Sequence, residues 1–207
     1  MGVDPGRPWR YLWIDLGFWT LGGLLVTAWN APNAYFTMVV KAVHQHGGVL
    51  DKFVGDAALA VFGLAECENA SEDALRATLE IQEGLEELNR ELGAEGYPTL
   101  RNGNGIHFGQ VVAGNIGSEE RLEYTVIGDA VNTASRLQDL TKEIPTTVAV
   151  SGETYERIES ETRETLCYVG SCSLKGKSDE IPVYGLAREV EAAGDGKTGN
   201  DSSGGRT

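Results

Sequence analysis

The stretch VLDKFVGDAALAVFG, residues 49–63, reads as two apolar runs joined at Val54-Gly55-Asp56-Ala57. A Gly-Asp pair between two such runs predicts a tight hairpin, with one strand over Val49–Val54 and its return over Ala58–Phe62. That turn sets Asp56 at the tip and leaves Lys52 four residues before it on the incoming strand. The two charges are open to two readings at this point: solvated edge groups, or groups placed for a ligand.

Working outward from the hairpin, helical and strand patterns alternate. Before it, Arg10–Asp15 predicts a strand, and apolar residues at 35, 36, 39, 40 and 43 predict a helix over Asn33–His46, closed by Gly47-Gly48. After it, positions 74, 78, 81, 85, 88 and 92 form one helical stripe across Ala70–Leu92, with Glu83, Glu86, Glu87 and Arg90 off it on a solvated face. Arg101–Ala113 alternates like a strand, and Tyr124–Ile127 makes another beyond the polar GSEERLE segment. Gly128–Lys142 reads as a helix. Val148–Val150, a short helix over Gly152–Ile158, and strands near Cys167–Leu174 and Ile181–Leu186 follow. The order strand, helix, strand, strand, helix, strand is that of a split βαβ unit, so the expected class is α+β: a ferredoxin-like (βαββαβ) antiparallel sheet with helices on one face.

Composition limits the functions available. A chain of 207 residues that is 41% hydrophobic can bury one full core. Its formal net charge of -14 argues against nucleic acid as a partner, because that affinity rests on clustered Lys and Arg. A small polyphosphate ligand needs only a few local donors or bound cations and stays compatible. Cys67, Cys167 and Cys172 lack paired metal-ligand spacing, which fits a reduced cytoplasmic compartment with the thiols as packing residues. The apolar run Gly17–Trp29 is 13 residues long, short of the roughly 20 that a membrane-spanning helix needs. A buried core segment is its leading reading, with surface membrane contact or a segment without a stable fold as the alternatives. Beyond Glu189 the chain holds almost no large apolar residue, so 189–207 is expected to be a disordered tail.

Two further segments bear polar groups in a pattern. In EYTVIGDAVNTASRL, residues 123–137, a helix beginning near Asp129 sets Asn132 and Arg136 at i and i+4 on one face, with Thr125 on the strand leading in. An amphipathic helix with Asn132 and Arg136 merely exposed fits as well. In LKGKSDEIPVYG, residues 174–185, Lys175 and Lys177 frame Gly176 in a basic turn.

Taken together, HQHGGVLDKFVGDAALAVFG, GIHFGQVVAGNIGSEERLEYTVIGDAVNTASRL and LKGKSDEIPVYG resemble, in order and spacing, the catalytic domain of class III nucleotidyl cyclases. The resemblance runs from about Asn33 to Ala187, giving a catalytic domain over 33–188 behind an atypical segment, 1–32. It implies that Asp56 binds the catalytic metals, Mg²⁺ or Mn²⁺, and that Lys52 and Thr125 read the purine. It further implies that Asn132 orients the ribose, Arg136 stabilises charge at the reacting phosphate, and Lys175 contacts the terminal phosphates. Lysine with threonine resembles the adenylyl-type pair. The implied activity is adenylate cyclase: ATP to 3′,5′-cyclic AMP and pyrophosphate by two-metal catalysis in a head-to-tail homodimer. The alternative is a catalytically impaired homologue that binds nucleotide or pairs with another cyclase chain as a regulator.

One departure bears on that alternative. Family members carry an earlier metal aspartate in a motif close to F-x-D-I-x-G-F-T, and the matching fragment here, LWIDLGFWT at residues 12–20, lacks one residue between Asp15 and Gly17. Asp15 is the candidate second metal carboxylate if LWID is a strand ending beside the hairpin turn. A slip of one residue would reverse it and leave a slow, Mn²⁺-dependent or inactive protein.

Overall fold

The hairpin forms as its sequence predicts: β2 (Val49–Val54) and β3 (Ala57–Phe62) pair antiparallel, with Val54 opposite Ala57. Gly55 takes the left-handed φ of 63° that the turn requires, so Asp56 at the tip keeps an ordinary backbone. The computed structural model describes residues 10–19, 30–64, 67, 69–118, 120–173 and 180–198.

Around this hairpin stand β1 (Arg10–Trp19), α1 (Asn30–Gln45), α2 (Ala70–Ala94) and β4 (Arg101–Gln110). Strand order β2-β3-β1-β4, antiparallel at each step, is the ferredoxin-like arrangement that the element order predicted. Alternation along β3 divides the two faces of the sheet. Ala58, Ala60 and Phe62 pack with Tyr35, Val39 and Val43 of α1 and with Leu75 and Ile81 of α2. Leu59 and Val61 point the other way, into a second cluster with Val111, Val126, Ala130 and Ala134. The predicted stripe on α2 is the buried one at Ala74, Thr78, Ile81 and Leu85, while Glu83, Glu86, Glu87 and Arg90 are exposed.

The rest of the chain extends this core. β4 ends at Gln110, and the stretch read as one strand to Ala113 divides there, continuing as a separate hairpin of β5 (Val112–Ser118) and β6 (Arg121–Ile127). α3 (Asp129–Leu140) then covers the face of the sheet opposite α1 and α2. β7 (Val148–Ser151) pairs parallel with β4; α4 (Gly152–Tyr155) and α5 (Ser160–Arg163) follow, and β8 (Leu166–Ser173) and β9 (Glu180–Leu186) complete a seven-stranded sheet.

Three expectations are corrected. The chain does not become irregular at Glu189: α6 runs over Ala187–Thr198. Composition missed this because Glu189 is held by polar bonds, its carboxylate accepting from the Thr146 hydroxyl (2.9 Å), the Thr147 hydroxyl (2.8 Å) and the Thr147 amide (2.6 Å). Cys67 is exposed, so it is no packing residue, although Cys167 and Cys172 are half-buried. β1 does not end at Asp15 but continues to Trp19, taking in the first residues of the apolar run; residues 20–29 of that run lie outside the described residues. Among the described residues no helix is long and apolar enough to cross a membrane.

Candidate active site

Of the polar groups singled out in the sequence, Lys52 and Asp56 lie on the β2–β3 hairpin at the edge of the sheet, Thr125 on β6, and Asn132 and Arg136 along α3. Two consecutive polar residues, Asp51 and Lys52, interrupt β2, and the pairing with β3 slips there: Leu50 lies opposite Ala60, yet Lys52 lies opposite Leu59. This bulge reverses the alternation. Without it Lys52 would share the face of Leu50, which packs into the core beneath α1 and α2; with it Lys52 joins the row of Leu59, on the α3 side. Phe53 accordingly returns to the α1 side and meets Phe36 edge-on at 4.7 Å.

Beside this bulge comes Thr125 of β6. Its hydroxyl donates to Asp51 Oδ2 at 2.8 Å, and both side chains are almost fully buried. Lys52 Nζ lies 3.7 Å from the same carboxylate oxygen and 4.0 Å from Glu123 Oε2, both ion-pair distances beyond direct hydrogen bonding. The Glu123 carboxyl is held below its usual range by its hydrogen bond and charge contact with Arg121, with a smaller pull from Lys52. Lys52 and Thr125, 73 positions apart in the chain, are thus brought together through a carboxylate that motif reading had not singled out.

The step from β6 into α3 is tight. A β-carbon at Gly128 would stand 2.8 Å from the Gln110 carbonyl oxygen, so only glycine fits this junction without displacement. α3 then packs through Ala130, Thr133, Ala134, Leu137 and Gln138. Asn132, exposed, and Arg136, half-buried, share the face left off that stripe. Arg136 also lies near β8: burial pushes the Cys172 thiol up, and the Arg136 charge pulls against that shift. Lys175 lies outside the described residues, two positions beyond the end of β8.

Three glycines of β4 set how closely α3 approaches. β-carbons built at Gly103, Gly105 and Gly109 would stand 2.1 Å from the Thr141 hydroxyl, 2.1 Å from the Ala134 carbonyl oxygen and 2.7 Å from the Ala130 methyl. Spaced by even numbers along a strand, they share one face, and α3 lies directly upon it.

Asp56 is exposed at the hairpin tip. Gly17 is the last β1 residue paired with β3, opposite Ala57, so the tip is level with Phe18; Asp15 sits opposite Leu59 and Gly105. Asp15 is therefore three positions along the strand from that level, roughly 10 Å at the rise of a strand. Among the described residues no group of three or more His, Cys, Asp or Glu side chains is poised around one point. Hard divalent ions that arrive on a nucleotide need only one or two carboxylates besides the phosphate oxygens, and an exposed aspartate at a turn fits that role.

An α+β domain with a ferredoxin-like core is the class that this arrangement defines, and comparison with known proteins identifies the family. Residues 26–188 match the model of the adenylate and guanylate cyclase catalytic domain, and the chain belongs to that family. It is 35% identical over 159 residues to an adenylate cyclase of Anabaena cylindrica, covering 73% of this chain and 30% of that protein. It is 34% identical over 164 residues to adenylate cyclase 1 of Rhizobium meliloti, covering 77% and 24%. The chain thus spans less than a third of the length of these curated relatives. Among solved structures, the guanylyl cyclase Cya2 superposes with a TM-score of 0.74 at 27% identity, over 86% of this chain and 91% of the other. The adenylyl cyclase CyaB from P. aeruginosa does so with 0.71 at 26%, over 86% and 93%.

Proposed function

We propose that this domain is an adenylate cyclase, forming 3′,5′-cyclic AMP and pyrophosphate from ATP. The fold does not discriminate the base, since adenylyl and guanylyl cyclases superpose on it almost equally. The observation that carries the reading is the juxtaposition of Lys52 and Thr125 across the Asp51 carboxylate. Adenine offers an acceptor at N1 beside a donor at its exocyclic amine; an ammonium and a hydroxyl oxygen side by side complement that pair.

Cyclisation is an internal attack of the ribose 3′ oxygen on the α-phosphorus, with pyrophosphate leaving, so it calls for positioning and charge stabilisation rather than a protein nucleophile. Lys52 and Thr125 hold the base, Asn132 orients the ribose, Arg136 donates to the oxygens of the reacting phosphate, and Lys175 contacts the terminal phosphates. Asp56 would hold Mg²⁺ or Mn²⁺, with Asp15 as the second carboxylate of this reading, and the bound ions would neutralise the triphosphate and acidify the 3′ hydroxyl.

The working unit is a head-to-tail homodimer in which the carboxylates of one copy face the base- and phosphate-reading residues of the other. Large apolar side chains left open around the candidate site support this: Val54, Val112, Leu122, Tyr124 and Ile127 are each more than half exposed. A second reading, a cyclase with a weakened metal site, is favoured by the β1 register, which sets Asp15 away from the level of Asp56. The test is turnover of ATP and of GTP with Mg²⁺ and Mn²⁺ in parallel, for the wild type and Asp15→Ala. Cyclic AMP from ATP, with little product from GTP, is the expected outcome. Mn²⁺-dependent activity that survives Asp15→Ala would favour the second reading. No binding of either nucleotide would defeat both.

A further inference from the structure

We infer that Asp51 sets the hydrogen-bond polarity of Thr125 and is thereby a specificity-determining residue for the purine; this rests on the adenylyl reading above. A threonine hydroxyl is ambivalent, with one proton to give and lone pairs to receive. Left to rotate, it can accept from the amine of adenine or donate to the carbonyl of guanine, and so distinguishes neither. In this protein the proton is committed: Thr125 Oγ1 donates to Asp51 Oδ2 at 2.8 Å, in a site where both side chains are more than nine-tenths buried. A carboxylate accepts only, so the bond runs in one direction, and Thr125 presents lone pairs alone to whatever lies on its other side.

The same carboxylate oxygen, 3.7 Å from Lys52 Nζ, keeps the ammonium beside that hydroxyl. The resulting pattern, donor then acceptor, suits the N1 and amine of adenine. Against guanine both positions fail, since its N1 carries a proton toward the ammonium and its carbonyl faces an oxygen with no proton to share. Asp51 does not touch the base. It is a positioning residue, made available by the bulge that places it between Lys52 and Thr125.

The test is equilibrium binding of 3′-deoxy-ATP and 3′-deoxy-GTP with Mn²⁺, analogues that lack the attacking hydroxyl, so that the readout needs no turnover. The full chain is used as wild type, Asp51→Asn, Asp51→Ala, Thr125→Val and the double variant Asp51→Asn/Thr125→Val. An asparagine amide can donate to Thr125 and release its proton outward, so Asp51→Asn should move the ratio of the two dissociation constants toward guanine by about tenfold. Asp51→Ala, which frees the hydroxyl without reversing it, should move the ratio less and serves if the asparagine variant fails to fold. In the Thr125→Val background, where only the contact of Asp51 with Lys52 is left to act, the asparagine substitution should move the ratio by about twofold or less. An equal shift in that background would show Asp51 acting through Lys52 and overturn the inference. An unchanged ratio in both Asp51 variants, with Thr125→Val still losing selectivity, would overturn it while leaving the adenylyl reading intact. A wild type that prefers the guanine analogue, or binds neither, would overturn both.

Discussion

Gly105→Ala should separate the packing that holds α3 from the chemistry α3 carries. The new methyl would lie 2.1 Å from the Ala134 carbonyl oxygen, 2.5 Å from the Gln138 amide nitrogen and 3.1 Å from Gln138 Cα, all backbone atoms that no rotamer change can clear. Restoring ordinary contact at the first of these, about 3.4 Å, requires α3 to withdraw by about 1.3 Å. A gap of that order forfeits a quarter to a half or more of the dispersion energy at each apolar contact along the helix, and overpacking of this kind costs about 1–3 kcal/mol. With a urea slope of about 2 kcal/mol/M, the unfolding midpoint should fall by about 1 M. Asn132 and Arg136 move with the helix, so ATP turnover should drop by about 10²-fold even in the folded fraction. Two controls grade the effect. At Gly103 the obstacle is the Thr141 hydroxyl, which can rotate away by giving up its 2.6 Å bond to the Gln138 carbonyl, so alanine there should cost about 1 kcal/mol. At Gly114 a β-carbon meets nothing within 4 Å, and alanine should be neutral to within about 0.5 kcal/mol. A Gly105→Ala protein indistinguishable from Gly114→Ala in both midpoint and turnover would refute this account of how α3 is placed.

A site shared between copies predicts complementation: Asp56→Ala and Arg136→Ala should each be inactive, while an equimolar mixture should recover roughly a quarter of wild-type activity, because half the dimers then hold one intact site. No recovery, with heterodimers shown to form by mass spectrometry, would mean that Asp56 and Arg136 act within one copy. Glu189→Ala should lower the free energy of unfolding by about 2 kcal/mol in urea titration, since it strands the Thr147 amide and takes the charged acceptor from the Thr146 and Thr147 hydroxyls. An unchanged midpoint would detach α6 from the stability of the domain.

The element order was legible in the sequence because it depends on local pattern. Glycine at the hairpin turn, the stripe at 74, 78, 81 and 85, and the i, i+4 spacing of Asn132 and Arg136 each follow from a period fixed by backbone geometry, and the structure keeps them. Even the bulge left a trace: two polar residues in succession, Asp51 and Lys52, between apolar pairs cannot alternate on a regular strand. What that trace could not say is which residue would stand opposite Asp51. Thr125 reaches it only because the β5–β6 hairpin brings β6 beside β2, an approach of residues 74 positions apart that depends on the tertiary fold. The close seat of α3 is decided in the same way, since Gly103, Gly105 and Gly109 read in the sequence as weak strand residues and become necessary only once a helix from a distant segment lies on them. Glu189 looked like the start of a polar tail until Thr146 and Thr147 were beside it. Sequence by itself determined the periodicities and turns, and with them the elements and the residue types on each. Tertiary structure decided which polar groups meet, because a hydrogen bond or a steric limit between distant segments depends on ångström distances that no spacing along the chain encodes.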